Sequence, residues 1–250
     1  MLYCILSLFM MLNLSIMNSP VKLVSILPSD QELFTQGFTV DKQGRILIGS
    51  GQYDQSQLGY LNPDTGTLES KVKLANEYFG EGITDTPYGI WQLTWKSGKA
   101  FLWDEQSFEL TKEVAYDTEG WGLTYDAQAD VLWMSDGSST LYQRDAQNFD
   151  LLAKIQVHLD EEPVELLNEL EYANGLIYAN VWYSNSIVAI DGNTGEVKKV
   201  YDLSPIIDQA KISPSQRQTM DVLNGIAHIK DNLFYLTGKY YPIIFEVELN

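Results

Sequence analysis

The glutamate in FGEGIT (residues 79–84), Glu81, sits between two glycines at the start of a strand-like run, an unusual place for a charge. Gly80 and Gly82 remove the neighbouring side chains, so the backbone can pass close to another group while the carboxylate stands alone. Such a carboxyl is suited to moving a proton, and its plain alternative is a solvated surface acid. The layout recurs. Gln36 in QGFTV, Glu119 in EGWGLTY, Asn168 in NELEY and Asn224 in NGIAH each open a similar segment, with glycine following in most of them. About 13 to 17 residues after each opener, the span of a hairpin, come Gly51, Trp95, Asp136, Trp182 and Lys239.

The elements that position these residues are short strands. Apolar and aromatic runs such as RILIG, IWQLTW, VLWMS, LIYANVWY and NLFYLTG are separated by dense turn signals, among them DKQG, NPDTG, KSGK and DGNTG. Segments that repeat at about 40 residues, each with three or four strands, are the signature of β-propeller blades. The five openers therefore predict an all-β, five-bladed propeller over residues 21–250. The last repeat has room for only three strands, and VKLVSILP (21–28) precedes the first as a lone strand, so it is expected to complete the last blade and close the ring. Ser204 to Val222 interrupts the strand pattern and reads as a loop with a helical turn.

In such a ring the first strand of every blade lines the central axis, and its antiparallel partner returns to the same rim. The five openers and the five residues a hairpin later are thus expected at one mouth. Tryptophans, a lysine, a glutamate and carboxamides there make a partly apolar pocket with convergent polar groups, the usual description of a small-molecule site. Taken singly, Glu119, Asn224 and Trp91 are better read as structural: a blade-opening polar residue commonly bonds backbone, and a strand Trp is commonly core. The convergence of Glu81, Asn168, Trp95, Trp182 and Lys239 favours a site.

Composition excludes several partners. Against 34 acidic residues stand 16 basic ones, a net charge of −18 that repels nucleic acid and anionic membrane surfaces. With only His158 and His228 and the single Cys4, no histidine or cysteine cluster has metal-ligand spacing, so neither metal nor cofactor is expected. Two other functions remain open on the residues alone: a calcium-dependent propeller lactonase or hydrolase built on oxygen ligands, against which the rim lysine argues, and a non-catalytic peptide- or sugar-binding propeller. Met1 to Met17 is almost wholly apolar and precedes the polar NSP, so residues 1–20 read as a signal peptide or N-terminal anchor, although no Lys or Arg precedes the apolar run. A secreted, periplasmic or envelope location follows, with no membrane embedding unless that leader is retained, and a monomer is expected.

Beyond these readings, FTQG (34–37), FGEGIT (79–84), LTW (93–95), EGWGLT (119–124), MSDGS (134–138), LNELEY (167–172), NVW (180–182), LNGIA (223–227) and TGK (237–239) resemble, in order and spacing, the motif series of plant and bacterial glutaminyl-peptide cyclotransferases. The resemblance spans nearly all of the chain after Pro20. It implies a five-bladed propeller that converts N-terminal glutamine of peptides or proteins to pyroglutamate with release of ammonia. It also implies that Glu81 is the acid/base residue, that Lys239 and Asn168 belong to the catalytic set, and that Gln36, Phe34, Phe79, Trp95, Trp121 and Trp182 bind substrate. One departure is IGSGQYDQS (48–56), where relatives commonly carry an acidic start. It predicts a blade-one rim of different shape.

Overall fold

The computed structural model describes residues 18–250, so the apolar segment Met1 to Met17 lies outside the described residues. Five four-stranded antiparallel sheets stand around a central axis. Blade one comprises Thr35–Val40, Ile46–Ser50, Gln57–Leu61 and Leu68–Lys73, from the axis outwards. Blade two comprises Gly80–Thr86, Gly89–Thr94, Lys99–Trp103 and Leu110–Ala115. Blade three follows with Leu123–Asp126, Val131–Ser135, Thr140–Asp145 and Leu151–Gln156, and blade four with Leu167–Ala173, Leu176–Val181, Ser186–Ile190 and Val197–Asp202. Blade five takes three strands from the end of the described chain, Leu223–Lys230, Leu233–Gly238 and Ile243–Leu249, and its outer strand from Val21–Pro28.

That last pairing is the expected closure. Val21 faces Leu249 and Pro28 faces Ile243 in an antiparallel register, so the ring is fastened by hydrogen bonds between its two ends. Burial follows radius. Inner and second strands are buried nearly throughout, whereas the outer strand Leu151–Gln156 is exposed along most of its length. Apolar clusters fill the gaps between adjacent blades: Leu47, Leu58, Ile83, Ile90 and Phe101 join blades one and two, and Tyr178, Ile187, Phe234 and Leu236 join four and five.

Ser204 to Val222 holds two short helices, Ser204–Gln209 and Pro214–Thr219. The first buries Ile206 and Ile207 in the apolar cluster that joins blades four and five. The second starts with a capping box, in which Ser213 and Gln216 satisfy each other's backbone N–H groups.

Candidate active site

A β-bulge positions the polar opener in four of the five blades, all but the third. In blade two, Gly80 pairs with Thr94 and Ile83 with Gln92, so the inner strand carries one residue more than its partner at Glu81-Gly82. The same extra residue falls at Gln36 in blade one, at Asn168-Glu169 in blade four and at Asn224-Gly225 in blade five. A bulge breaks the strand's alternation and re-aims a side chain, which is how a charge at a strand start comes to point along the axis. The glycine after the opener answers a second need. A Cβ on Gly82 would stand 2.6 Å from Leu123 N and 2.6 Å from Trp121 O, and one on Gly122 would stand 2.0 Å from Asn168 O. Neighbouring inner strands therefore approach backbone to backbone.

This packing corrects the opener of blade three. Gly122 occupies the place that Gly82 holds in blade two, Trp121 therefore aligns with Glu81, and Glu119 lies two residues upstream, before the inner strand Leu123–Asp126. In blade four the residue aligned with those glycines is Glu169, whose carboxylate crosses the axis. Its Oε1 accepts from Phe38 N at 3.2 Å and its Oε2 from Ile226 N at 2.7 Å, tying blade four to blades one and five.

A cavity of about 210 Å³ opens at the rim above these bulges, lined by Phe34, Gln36, Gln52, Phe79, Glu81, Trp95, Trp121, Asn168, Trp182 and Lys239. Its walls form a closed circuit. Phe34 meets Phe79 edge to face at 6.1 Å, Phe79 meets Trp95 at 5.5 Å, and Trp121 meets Trp182 at 5.1 Å. Lys239 Nζ lies 4.6 Å from the ring centre of Phe34 and 5.7 Å from that of Trp182, bridging one gap by cation–π attraction. Glu119 bridges the other, because its Oε2 accepts from both Trp95 Nε1 at 2.7 Å and Trp121 Nε1 at 3.0 Å. Edge-to-face rings and these two bridges hold the walls together.

Polar groups occupy the floor. Glu81 is 4% exposed, and Gln36 Nε2 donates to its Oε1 at 2.9 Å. Burial pushes the Glu81 carboxyl well above the usual carboxylate range; the positive charge of Lys239 works against that shift and the negative charge of Glu119 adds to it. Burial likewise lowers the Lys239 ammonium, opposed by Glu81 and Asp221. Asn168 Oδ1 is buried with no hydrogen-bond partner among the described residues, on a side chain that lines the cavity. The site thus offers a carboxyl of raised proton affinity, a lysine amine and a carboxamide oxygen with no hydrogen-bond partner among the described residues, inside an aromatic box.

Not every residue expected at the mouth is there. Asp136 turns aside to accept from Ser138 Oγ and from the Tyr142 hydroxyl, at 2.6 and 2.7 Å. Gly51 lies against the wall rather than lining the space, where a Cβ would stand 2.4 Å from Phe79 Cε1. Asn224 is fully buried beneath the floor, and Trp91 is core, its Nε1 donating to Ala146 O. The sequence reading missed Gln52. It lies within 48–56, and Ser56 Oγ ties that loop to the floor: it accepts from Gln52 N at 3.1 Å and from Gly80 N at 2.9 Å.

An aromatic box over a buried carboxyl, set on five blades, defines a propeller enzyme site, and comparison with known proteins narrows the class. A family model described as glutamine cyclotransferase matches residues 7–249, and the chain belongs to that family. Its function is that of a glutaminyl-peptide cyclotransferase. A glutaminyl-peptide cyclotransferase of Arabidopsis thaliana is 33% identical over 240 residues, which cover 95% of this chain and 74% of the relative. The crystal structure of Myxococcus xanthus glutaminyl cyclase matches with a TM-score of 0.81 at 33% identity, covering 94% of this chain and 99% of that one. Virginiamycin B lyase from Staphylococcus aureus, at a TM-score of 0.51 and 14% identity over 86% of this chain and 66% of that one, shares the fold alone.

Proposed function

We propose that the cavity closes an N-terminal glutaminyl residue on itself: the α-amine attacks the γ-carboxamide carbon, a C–N bond forms, the original C–N bond breaks, and pyroglutamyl peptide and ammonia leave. Ring closure is intramolecular, so the enzyme must fold the side chain into a near-attack conformer and manage protons. The free α-amine has a pKa near ~7.7–8.0 and is partly neutral at mildly alkaline pH, whereas the departing nitrogen needs a proton. Glu81 takes the proton from the attacking amine and delivers it to that nitrogen, and a positioned general acid/base of this kind contributes about 10²–10⁴ in rate. Lys239 stabilises the oxyanion of the tetrahedral intermediate. Asn168 accepts from the substrate amine or carboxamide through its free Oδ1, Gln36 holds Glu81, and Phe34, Phe79, Trp95, Trp121 and Trp182 confine the five-membered ring.

The observation that carries this reading is the raised carboxyl of Glu81 at the closed end of an aromatic box, with the Lys239 side chain lining the same cavity. The chemistry needs no metal. Among the described residues no three His, Cys, Asp or Glu side chains converge as a ligand set. The protein acts as a monomer on peptides or proteins that begin with glutamine, exported by residues 1–20 to the cell envelope or beyond. No helix among the described residues is long and apolar enough to cross a membrane. Incubation with a glutamine-initiated peptide should lower its mass by one ammonia, undiminished by excess chelator. An unchanged mass, or activity abolished by chelator and restored by Ca²⁺, contradicts this reading.

A further inference from the structure

We propose that Asn224 is a positioning residue that dictates, through Gln36, which oxygen of Glu81 carries the shuttled proton; the proposal rests on the proton-shuttle reading above. The argument starts from a group with no choice. Thr35 O is a backbone carbonyl and can only accept, and Asn224 Nδ2 lies 3.0 Å from it, so the Asn224 amide must turn its NH₂ that way. The same NH₂ lies 3.2 Å from Gln36 Oε1 and has a second hydrogen for it. Gln36 must then present its oxygen to Asn224 and its NH₂ to Glu81, 2.9 Å from Oε1. An amide NH₂ donates and does not accept, so Glu81 Oε1 keeps its lone pair and the proton of the neutral acid resides on Oε2.

All three side chains in this line are buried, with Asn224 0%, Gln36 3% and Glu81 4% exposed, and a lost or reversed hydrogen bond weighs heavily there. Asn224 Oδ1 is buried with no hydrogen-bond partner among the described residues. An apolar residue of similar volume would spare that unpaired oxygen but would leave Gln36 Oε1 without its donor. Its role is therefore that of a donor. The relay gives a proton shuttle a fixed geometry: one oxygen is engaged from below by Gln36, and the other alone takes and returns the proton.

The groups that act on Glu81 electrostatically besides this line are Lys239 and Glu119 on the cavity wall, and Glu81 in turn raises the Tyr116 hydroxyl. None of them contacts Asn224 by a hydrogen bond. A change that starts at Asn224 thus reaches Glu81 through Gln36.

The test is Asn224→Leu, which keeps much of the volume, adds no charge and donates to neither Thr35 O nor Gln36 Oε1. Gln36 is then free to turn its oxygen toward Glu81, which favours the neutral acid. The apparent pKa of Glu81, followed by ¹³C NMR of its side-chain carboxyl and assigned by the signal lost in Glu81→Gln, should rise by about one unit. At the same time kcat should fall about tenfold or more with KM little changed. In a Gln36→Met background the same substitution should leave the Glu81 titration where Gln36→Met alone puts it. If Asn224→Leu does not fold, Asn224→Ser, which is uncharged and retains one donor hydrogen, is read by the same titration. A folded variant with the parent titration of Glu81, or an effect that persists in full without the Gln36 amide, overturns the relay. If Glu81→Gln itself remains active, the shuttle reading fails first, and the two failures are distinguishable.

Discussion

The carboxylate of Glu119 stands 2.7 Å from the indole nitrogen of Trp95 and 3.0 Å from that of Trp121, so one acid on the rim clamps two walls of the cavity. Lys96 completes the outer side, 3.6 Å from Glu119 Oε1 and 4.0 Å from the Trp95 ring centre. Glu119 is the bridge between blades two and three, and it bears on the reaction through the shape of the box and through the charge that adds to the rise of the Glu81 carboxyl.

Removing that clamp should therefore loosen binding more than chemistry. Glu119→Ala is expected to raise KM about threefold to tenfold, equivalent to about 0.7–1.4 kcal/mol, with kcat changed less. Steady-state kinetics on a glutamine-initiated peptide check it, and a large fall in kcat at constant KM would move Glu119 into the proton path.

Backbone approach around the axis should tolerate no added carbon. Gly82→Ala places a Cβ 2.6 Å from both Leu123 N and Trp121 O, atoms of a neighbouring inner strand that cannot swing aside. Overpacking of this kind should destabilise the fold by about 2–3 kcal/mol, read by urea denaturation, with Glu81 displaced as the bulge shifts.

The axis below the site carries two buried acids, Glu169 and Glu171, whose pKa values are both raised by burial first. Mutual repulsion adds to the rise for Glu169, and that of Glu171 reaches about 8. The native fold thus binds their protons more tightly than the unfolded chain, where a glutamate titrates near ~4.3. Their contribution to stability is fully present below that value and is lost as pH rises through about 8 for Glu171. Thermal stability should fall by a few kcal/mol across this window. Glu171→Gln, which keeps an acceptor for His228 N, should flatten the slope. An equally steep slope in that variant would assign the dependence to other groups.

Much of this was legible in the sequence, and the limits have physical causes. Repeat length and the missing fourth strand of the last blade point to the propeller and its closure, because turn residues and strand alternation are local signals. All nine residues singled out for the site, from Phe34 to Lys239, line one cavity. The opener of blade three was misplaced because EGWG contains two overlapping polar or aromatic–glycine pairs, and only the contact of Gly122 with Asn168 decides between them. Depth along the axis is likewise invisible: Asn224 and Asn168 occupy the same repeat position, yet one lies beneath the floor and the other lines it. Gln52 escaped because its position depends on Ser56 folding the loop 51–56 back onto Gly80, a contact between residues 24 positions apart.

The account turns on Glu81, and the most direct measurement is kcat of Glu81→Gln on a glutamine-initiated peptide, in a variant shown by circular dichroism to fold as the parent does. Glutamine keeps the shape and can still meet Gln36, but it cannot exchange a proton. The account predicts a fall of about 10²-fold or more in kcat with KM little changed. A folded Glu81→Gln enzyme that releases ammonia at close to the parent rate would contradict it.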